Sequence, residues 1–223
     1  VMGQQLIWLI MGAAISFVVM LFSTEFLWKI TPYLYGLGLI LMIFPLIFYS
    51  PELVASTGAK NWVSIGSVTL FQPSEFMKIS YILILARLTV TFKQKYKEKN
   101  LQEDGKLLLW FALLTLPIMI LLALQKDLGT AMVFLAILAG LVLIAGISWQ
   151  IILPVVGAVA LIVALFMVVF LIPGGKEFLY HHMGVDTYQI NRLSAWLNPF
   201  DYAGSIAYQQ TQGMISIGSG GLF

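Results

Sequence analysis

Cysteine is absent from the 223 residues, which removes disulfides, thiolate metal sites and cysteine nucleophiles and leaves the redox compartment open. Charge is scarce too. Asp, Glu, Lys and Arg make up 10% of the chain and sum to +2, too small a surplus for nucleic-acid binding. The two histidines, His181 and His182, are neighbours whose side chains point apart on a helix or strand, so no metal site is assigned. There is no Walker loop, dinucleotide fingerprint, Gly-x-Ser-x-Gly elbow or His-Glu-x-x-His, and ATP-driven transport has no support. No basic leader with a small-residue cleavage site precedes the first hydrophobic run, so no signal peptide is expected. Val1 and the stretch Gly218 to Phe223 read as the edges of a fragment of a longer chain.

What fills the chain instead is apolar residue: 60% of the sequence, with a mean hydropathy of +0.94. That composition belongs to a multi-span membrane protein, a single integral membrane domain over 1–223. Six apolar runs, at 5–22, 31–48, 74–92, 107–124, 130–147 and 151–172, predict an all-α, polytopic membrane helix bundle. Strands of a membrane barrel would alternate in polarity over about ten residues, and these runs do not. Lys93, Lys95, Lys97, Lys99 and Lys106, with Arg87 just before them, place the third connector on the cytoplasmic side, together with 23–30 and its Lys29. The connectors at 49–73, 125–129 and 173–223 then face outward. The lysine run reads as topology and solvation, with anionic lipid as a lesser alternative.

Polar groups at the outer helix ends are costly and gather in three clusters. The first runs from Gly58 through Lys60 and Trp62 to Gly66, then from Phe71 through Gln72, Pro73, Ser74 and Glu75 to Lys78. Pro73 and Ser74 start a helix, and Glu75 and Lys78 share one face of it. This is either a capped helix with an internal ion pair or a polar site in which Lys60 and Lys78 meet phosphate and Trp62 anchors or stacks. The second, Gln125 to Thr130, offers Asp127 either as a helix cap or as a carboxylate for a cation, a sugar hydroxyl or Lys78. The third is the 173–223 segment. In it Ile190, Leu193, Trp196 and Leu197 form the apolar face of a short interfacial helix, with Gln189, Arg192 and Ser194 elsewhere on its surface. Beyond it, Tyr208 to Gly221, with Gln212, is rich in amides and glycines that suit sugar or phosphate, or simply a flexible loop.

Gly58-Ala-Lys-Asn-Trp62, Gln72-Pro-Ser-Glu-Phe-Met-Lys78, Gln125-Lys-Asp-Leu-Gly-Thr130, and Tyr188 to Asn198-Pro199 and on to Gly218-Ser-Gly-Gly221 resemble, in order and spacing, the SEDS proteins of bacterial cell-wall synthesis. The wording of the Gln72–Lys78 motif and of Tyr188–Pro199 is nearer to the RodA branch of that family than to its FtsW branch. The resemblance implies ten membrane helices, of which the second to seventh are matched here. It implies polymerisation of lipid II, a disaccharide-pentapeptide on undecaprenyl pyrophosphate, for cell elongation and shape, at the outer face of the bacterial cytoplasmic membrane beside a class B penicillin-binding transpeptidase. The family's catalytic aspartate belongs to a His-Thr-Asp-Phe type motif that this sequence does not contain. Asp186 and Asp201 do not match it, so the catalytic residue is left unassigned and this piece by itself is expected to be inactive. Glu75, Lys78 and Asp127 are the supporting polar site, and Lys60, Trp62, Gln72, Arg192 and Gln212 the substrate-binding candidates. Lys126 stands where many members have proline. No cofactor is evident, though a divalent cation is compatible with pyrophosphate chemistry. The competing classes are a lipid II flippase or transporter and a non-catalytic scaffold for the transpeptidase. Against the flippase stands the placement of Glu75, Lys78 and Asp127 at outer helix ends, with little charge near the bilayer middle, whereas the scaffold role can coexist with catalysis.

Overall fold

A computed structural model of the chain describes residues 2–65, 68–96, 100–185 and 187–220. Gly66, Lys97, Lys99, Asp186, Gly221 and Phe223, named above, lie outside the described residues. Two compact units divide the chain after Ile152.

The first unit holds α1 (Met2–Met20), α2 (Thr24–Ile47), the short α3 (Pro51–Thr57), strands β1 (Val63–Ile65) and β2 (Val68–Phe71), α4 (Pro73–Lys95), α5 (Leu101–Gln125) and α6 (Leu128–Ile144). α7 (Trp149–Leu171) begins in it and runs into the second unit. Long helices therefore stand at all six expected positions. Apolar side chains cover most of their circumference, because in lipid the helix must satisfy its own backbone and has no wet face to display. α2, α5 and α7 are long and apolar enough to cross a membrane by length and composition alone. α1 and α6 carry shorter apolar stretches, Leu9–Met20 and Leu128–Ile144.

α4 differs in a way that explains its position. It bears Glu75 and Lys78 near its start and Arg87, Lys93 and Lys95 in its second half, and it buries Met77, Ser80, Tyr81 and Leu85. It packs most extensively on α2 and also meets α5 and α6. A helix enclosed by protein needs less apolar surface than one facing lipid. At its centre Tyr81 shares a 2.6 Å hydrogen bond with Thr115 of α5, and its ring lies 5.4 Å from that of Phe134 in α6. Phe111, Ile118, Leu122, Met42 and Met77 complete the core around them. An interhelical hydrogen bond of this kind contributes about 0.6 kcal/mol in a membrane protein, so it specifies the pairing more than it stabilises it.

Two helices start earlier than the apolar runs suggest, because their caps lie outside those runs. The Ser23 hydroxyl accepts the Phe26 N–H at 3.2 Å, so α2 begins at Thr24 and the expected connector around Lys29 is helical. Asn100 accepts the Gln102 N–H at 3.2 Å and starts α5 at Leu101. At this end of the bundle the Arg87 guanidinium donates to the Trp28 carbonyl and lies over its indole. Here too Asp104 accepts both the N–H and the hydroxyl of Ser148, at 2.8 and 2.5 Å, just before α7. Alternation of the helices is thus visible directly: α2 and α4 run antiparallel, meeting here at residues 28 and 87 and further along at Gly38 and Met77.

The connector 49–73 is not a plain loop. β1 and β2 form an antiparallel hairpin with Val63 opposite Phe71, Ser64 opposite Thr69, and an irregularity between Val63 and Ser64. The Ser64 N–H donates to the Phe48 carbonyl at 3.2 Å, fastening the hairpin to the end of α2.

In the second unit, α8 (Gly175–Met183), α9 (Thr187–Leu197), a 3-10 turn (Pro199–Tyr202) and α10 (Tyr208–Gly220) follow α7. Phe170, Leu179 and Ile190 make its small core, with Leu193 and Val185 against them. Gly175 sits so close to the Val169 carbonyl that no side chain fits there.

The interfacial helix expected near 188–199 is α9, but its apolar face is drawn differently. Ile190 is buried, whereas Trp196 is 63% exposed. At 3.6 residues per turn Trp196 falls about 120° around the helix from Ile190, while Ser194 falls only about 40° away. Ser194 is accordingly buried, and Lys176 donates to it at 3.0 Å. The amide- and glycine-rich stretch is helical over Tyr208–Gly220 in α10, so the backbone N–H groups beyond its first turn serve the helix.

Candidate functional site

The ends of α2, α4, α5 and α6 and the base of the hairpin meet at one end of the first unit, and Asp127 is where they join. Asp127 precedes α6, and its Oδ1 accepts the Thr130 N–H at 3.0 Å, a helix cap of the ordinary kind. Its Oδ2 accepts the Asn61 side-chain amide at 2.7 Å and the Thr130 hydroxyl at 2.7 Å. The Gln72 amide stands 3.5 Å from both that oxygen and the Thr130 hydroxyl. Asp127 is 7% exposed. A carboxylate so enclosed is retained because donors surround it.

The turn before Asp127 is equally constrained. Gln125 is buried and donates its side-chain amide to the Met42 carbonyl at 2.6 Å, while its own carbonyl accepts the Lys60 N–H at 2.8 Å. Lys126 takes a left-handed conformation, φ 57° and ψ 30°, and its N–H closes the end of α5 on Ala123 and Leu122. Proline, fixed near φ −65°, is excluded from this turn, so the chain closes it by a different route from one that proline would build.

Glu75 and Lys78 form the ion pair that their spacing implies. Lys78 Nζ lies 2.8 and 2.9 Å from the two carboxylate oxygens, with Lys78 26% and Glu75 62% exposed. Lys78 therefore pairs with Glu75 and not with Asp127. Lys60 holds its ammonium 4.2 Å from the centre of the Tyr49 ring, and Trp62 is partly exposed beside it. The structure thus brings Asn61, Gln72, Asp127 and Thr130 into one network, with Lys60 and the Glu75–Lys78 pair on the segments that it fastens.

Arg192 and Gln212 belong to the second unit. Arg192 is exposed and its guanidinium lies 4.6 Å from the Tyr188 ring centre. Gln212 is exposed on α10, its backbone carbonyl accepting the Ser216 hydroxyl. His181 packs edge-on to Tyr180 and His182 stacks on Phe178. Among the described residues no three acidic or imidazole groups gather around a point that could hold a metal ion.

Two participants had no assigned role at the level of sequence. Thr130 follows Asp127 at the spacing of a cap, which is a usable signal. Asn61 offered none, since its partner lies 66 residues away.

The family of cell cycle proteins comprising FtsW, RodA and SpoVE matches residues 1–223. The chain belongs to this family. Among the relatives of this FtsW/RodA/SpoVE member, the peptidoglycan glycosyltransferase MrdB of Escherichia coli K12 is 34% identical over 193 residues, covering 86% of this chain and 45% of the relative. A probable peptidoglycan glycosyltransferase FtsW of Burkholderia thailandensis is 32% identical over 198 residues, covering 87% and 37%. A solved structure described as "Structural coordination of polymerization and crosslinking by a peptidoglycan synthase complex" aligns at 26% identity with a TM-score of 0.61, covering 88% of this chain and 50% of that one. The chain spans about half or less of the length of these relatives. The all-α membrane bundle and the membership of the SEDS family expected from the motifs both stand.

Proposed function

We propose that this chain forms the membrane-embedded part of a peptidoglycan glycosyltransferase that polymerises lipid II for cell elongation and shape. The observation that carries the reading is the network on Asp127, which gathers the three polar motifs of one bundle end into a single site in a chain whose relatives are named peptidoglycan glycosyltransferases.

In this reaction the 4-hydroxyl of the acceptor sugar attacks the anomeric carbon of the donor, the bond to undecaprenyl pyrophosphate breaks, and a general base takes the hydroxyl proton. The base is assigned to the family's aspartate motif outside this sequence. Lys60 and Lys78 supply positive charge for the departing pyrophosphate, and Glu75 holds Lys78 in place. Gln72 and Trp62 are assigned to the sugar. The lipid-facing sides of α2 and α4 wall the polyprenyl chain, which the exposed Ile40, Ile43, Phe44 and Ile79 suit. A divalent cation bound to the pyrophosphate is compatible with this chemistry. The lysine-rich connector at the opposite end of the bundle supports an orientation with the Asp127 end on the outer face of the bacterial cytoplasmic membrane. A transpeptidase of class B is the proposed partner, in keeping with the complex of polymerisation and crosslinking that the similar structure represents.

A transporter would instead need charge along its path. The interior polar contacts described here, Tyr81 with Thr115 and Tyr35 with the Leu114 carbonyl, are neutral and already paired. The test is to follow lipid II consumption and leaflet position with the full-length protein in proteoliposomes while measuring released undecaprenyl pyrophosphate. Glycosyl transfer releases one lipid pyrophosphate per bond formed; movement of intact lipid II without release would overturn the reading.

A further inference from the structure

The adjacent residues Lys60, Asn61 and Trp62 precede the hairpin, and two bonds fix them to the turn between α5 and α6. One is the backbone bond from Lys60 to the Gln125 carbonyl, 2.8 Å. The other is the side-chain bond from Asn61 to Asp127, 2.7 Å. The first leaves the strand free to pivot; the second fixes its rotation, and with it the directions of the side chains on either side. Asp127 in turn accepts through both oxygens, from the Thr130 N–H at Oδ1 and from Asn61, Thr130 and Gln72 at Oδ2, and it is buried.

The same region carries a cost that a purely structural joint would avoid. The buried side-chain atoms lacking a partner among the described residues are Asn61 Oδ1, Ser64 Oγ, Ser74 Oγ and Glu103 Oε2. Three of these four lie on the segments fastened to Asp127: the strand entering the hairpin, β1, and the first turn of α4. Unmet polar atoms concentrated at one place mark a site arranged for something other than stability.

We propose that Asn61 is a positioning residue: acting through Asp127, it orients the Lys60 ammonium and the Trp62 indole toward the substrate, and Asp127 itself touches no substrate. This rests on the glycosyltransferase reading for the identity of the substrate, while the coupling of Asn61 to Asp127 stands apart from it.

The experiment uses full-length protein carrying Asn61→Ala, Asp127→Asn, both together, or Asn61→His, which restores a donor. Two readouts are taken: kcat and KM for polymerisation of fluorescent lipid II, and hydrogen exchange at the hairpin amides of Val63–Phe71 with no substrate present. The expected result is a fall in kcat of about 10-fold or more for each single variant, with KM within 2-fold. The double variant should be no worse than Asp127→Asn, and Asn61→His should recover most of the loss. Hairpin exchange quickens in Asn61→Ala and no further in the double variant. Unchanged kcat in Asn61→Ala, losses that simply multiply in the double variant, or failure of Asn61→His to recover anything would overturn the proposal. If the unsubstituted protein makes no glycan, the polymerase reading has failed. Exchange then decides the coupling alone: equal exchange in all forms refutes it, and quickened, non-additive exchange sustains it.

Discussion

The side-chain amide of Gln125, at the last residue of α5, donates to the carbonyl of Met42 in α2 across 2.6 Å, although 83 residues separate them. Gln125 is buried, and its own carbonyl holds the Lys60 N–H. One residue therefore joins α2, α5 and the strand that leads to the hairpin. Gln125→Leu keeps the volume and removes the donor. It should lower stability by about 1 kcal/mol, whereas Gln125→Ala adds a cavity and should cost about 2–4 kcal/mol. Thermal unfolding in detergent checks the order; a Gln125→Leu protein as stable as the parent would show that the amide bond contributes nothing.

Lys126 occupies a conformation that glycine adopts without strain. Lys126→Gly should raise stability by about 0.5–1 kcal/mol, since the left-handed penalty of about 1–2 kcal/mol is removed and part is returned as unfolded-state entropy. Lys126→Pro should lower it by about 3 kcal/mol or more, because both φ and the N–H that closes α5 are lost. Melting temperatures of opposite sign relative to the parent are the expected outcome.

At the α7–α8 corner, an alanine in place of Gly175 would drive its methyl into the Val169 carbonyl. Backbone must yield, and a loss of about 2 kcal/mol or more is expected. Gly157, in the open interior of α7, has nothing within 4 Å of the added carbon, so Gly157→Ala should be neutral or slightly stabilising. Similar losses for the two would contradict the close approach at residue 175.

The Glu75–Lys78 pair is partly exposed and so contributes little to folding, about 0–1 kcal/mol. If its charges serve pyrophosphate, position matters more than pairing. The reversed pair, Glu75→Lys with Lys78→Glu, should fold nearly as well as the parent and still lose at least about 100-fold in glycan synthesis. Retained synthesis would reduce the pair to a surface ion pair.

Much of this arrangement is legible in the residues. The six long helices follow from their apolar runs, the Glu75–Lys78 pair from a three-residue spacing, and the Asp127 cap from its place before Leu128-Gly-Thr. Less local features are not. Helices that are apolar all round give no periodicity to say which face meets which neighbour, so the central place of α4, set by Met77, Tyr81 and Leu85, had to be seen. The hairpin hides in two strands of three and four residues, too short for alternation to stand out. Ser23 and Asn100 begin their helices outside the apolar runs, and hydropathy alone starts those helices late. Trp196 shares its apolar character with Ile190, but the angle between them on α9 sends the indole outward. Asn61 meets Asp127 only once four helix ends have come together.

The central claim is that the polar site on Asp127 serves glycan polymerisation. The most direct measurement is a gel of glycan formed from labelled lipid II by the full-length protein and by its Asp127→Ala and Glu75→Ala variants, each shown to be folded in detergent. The account expects a ladder of strands from the parent and none, or less than about 1%, from either variant. A full ladder from a folded Asp127→Ala protein would contradict it.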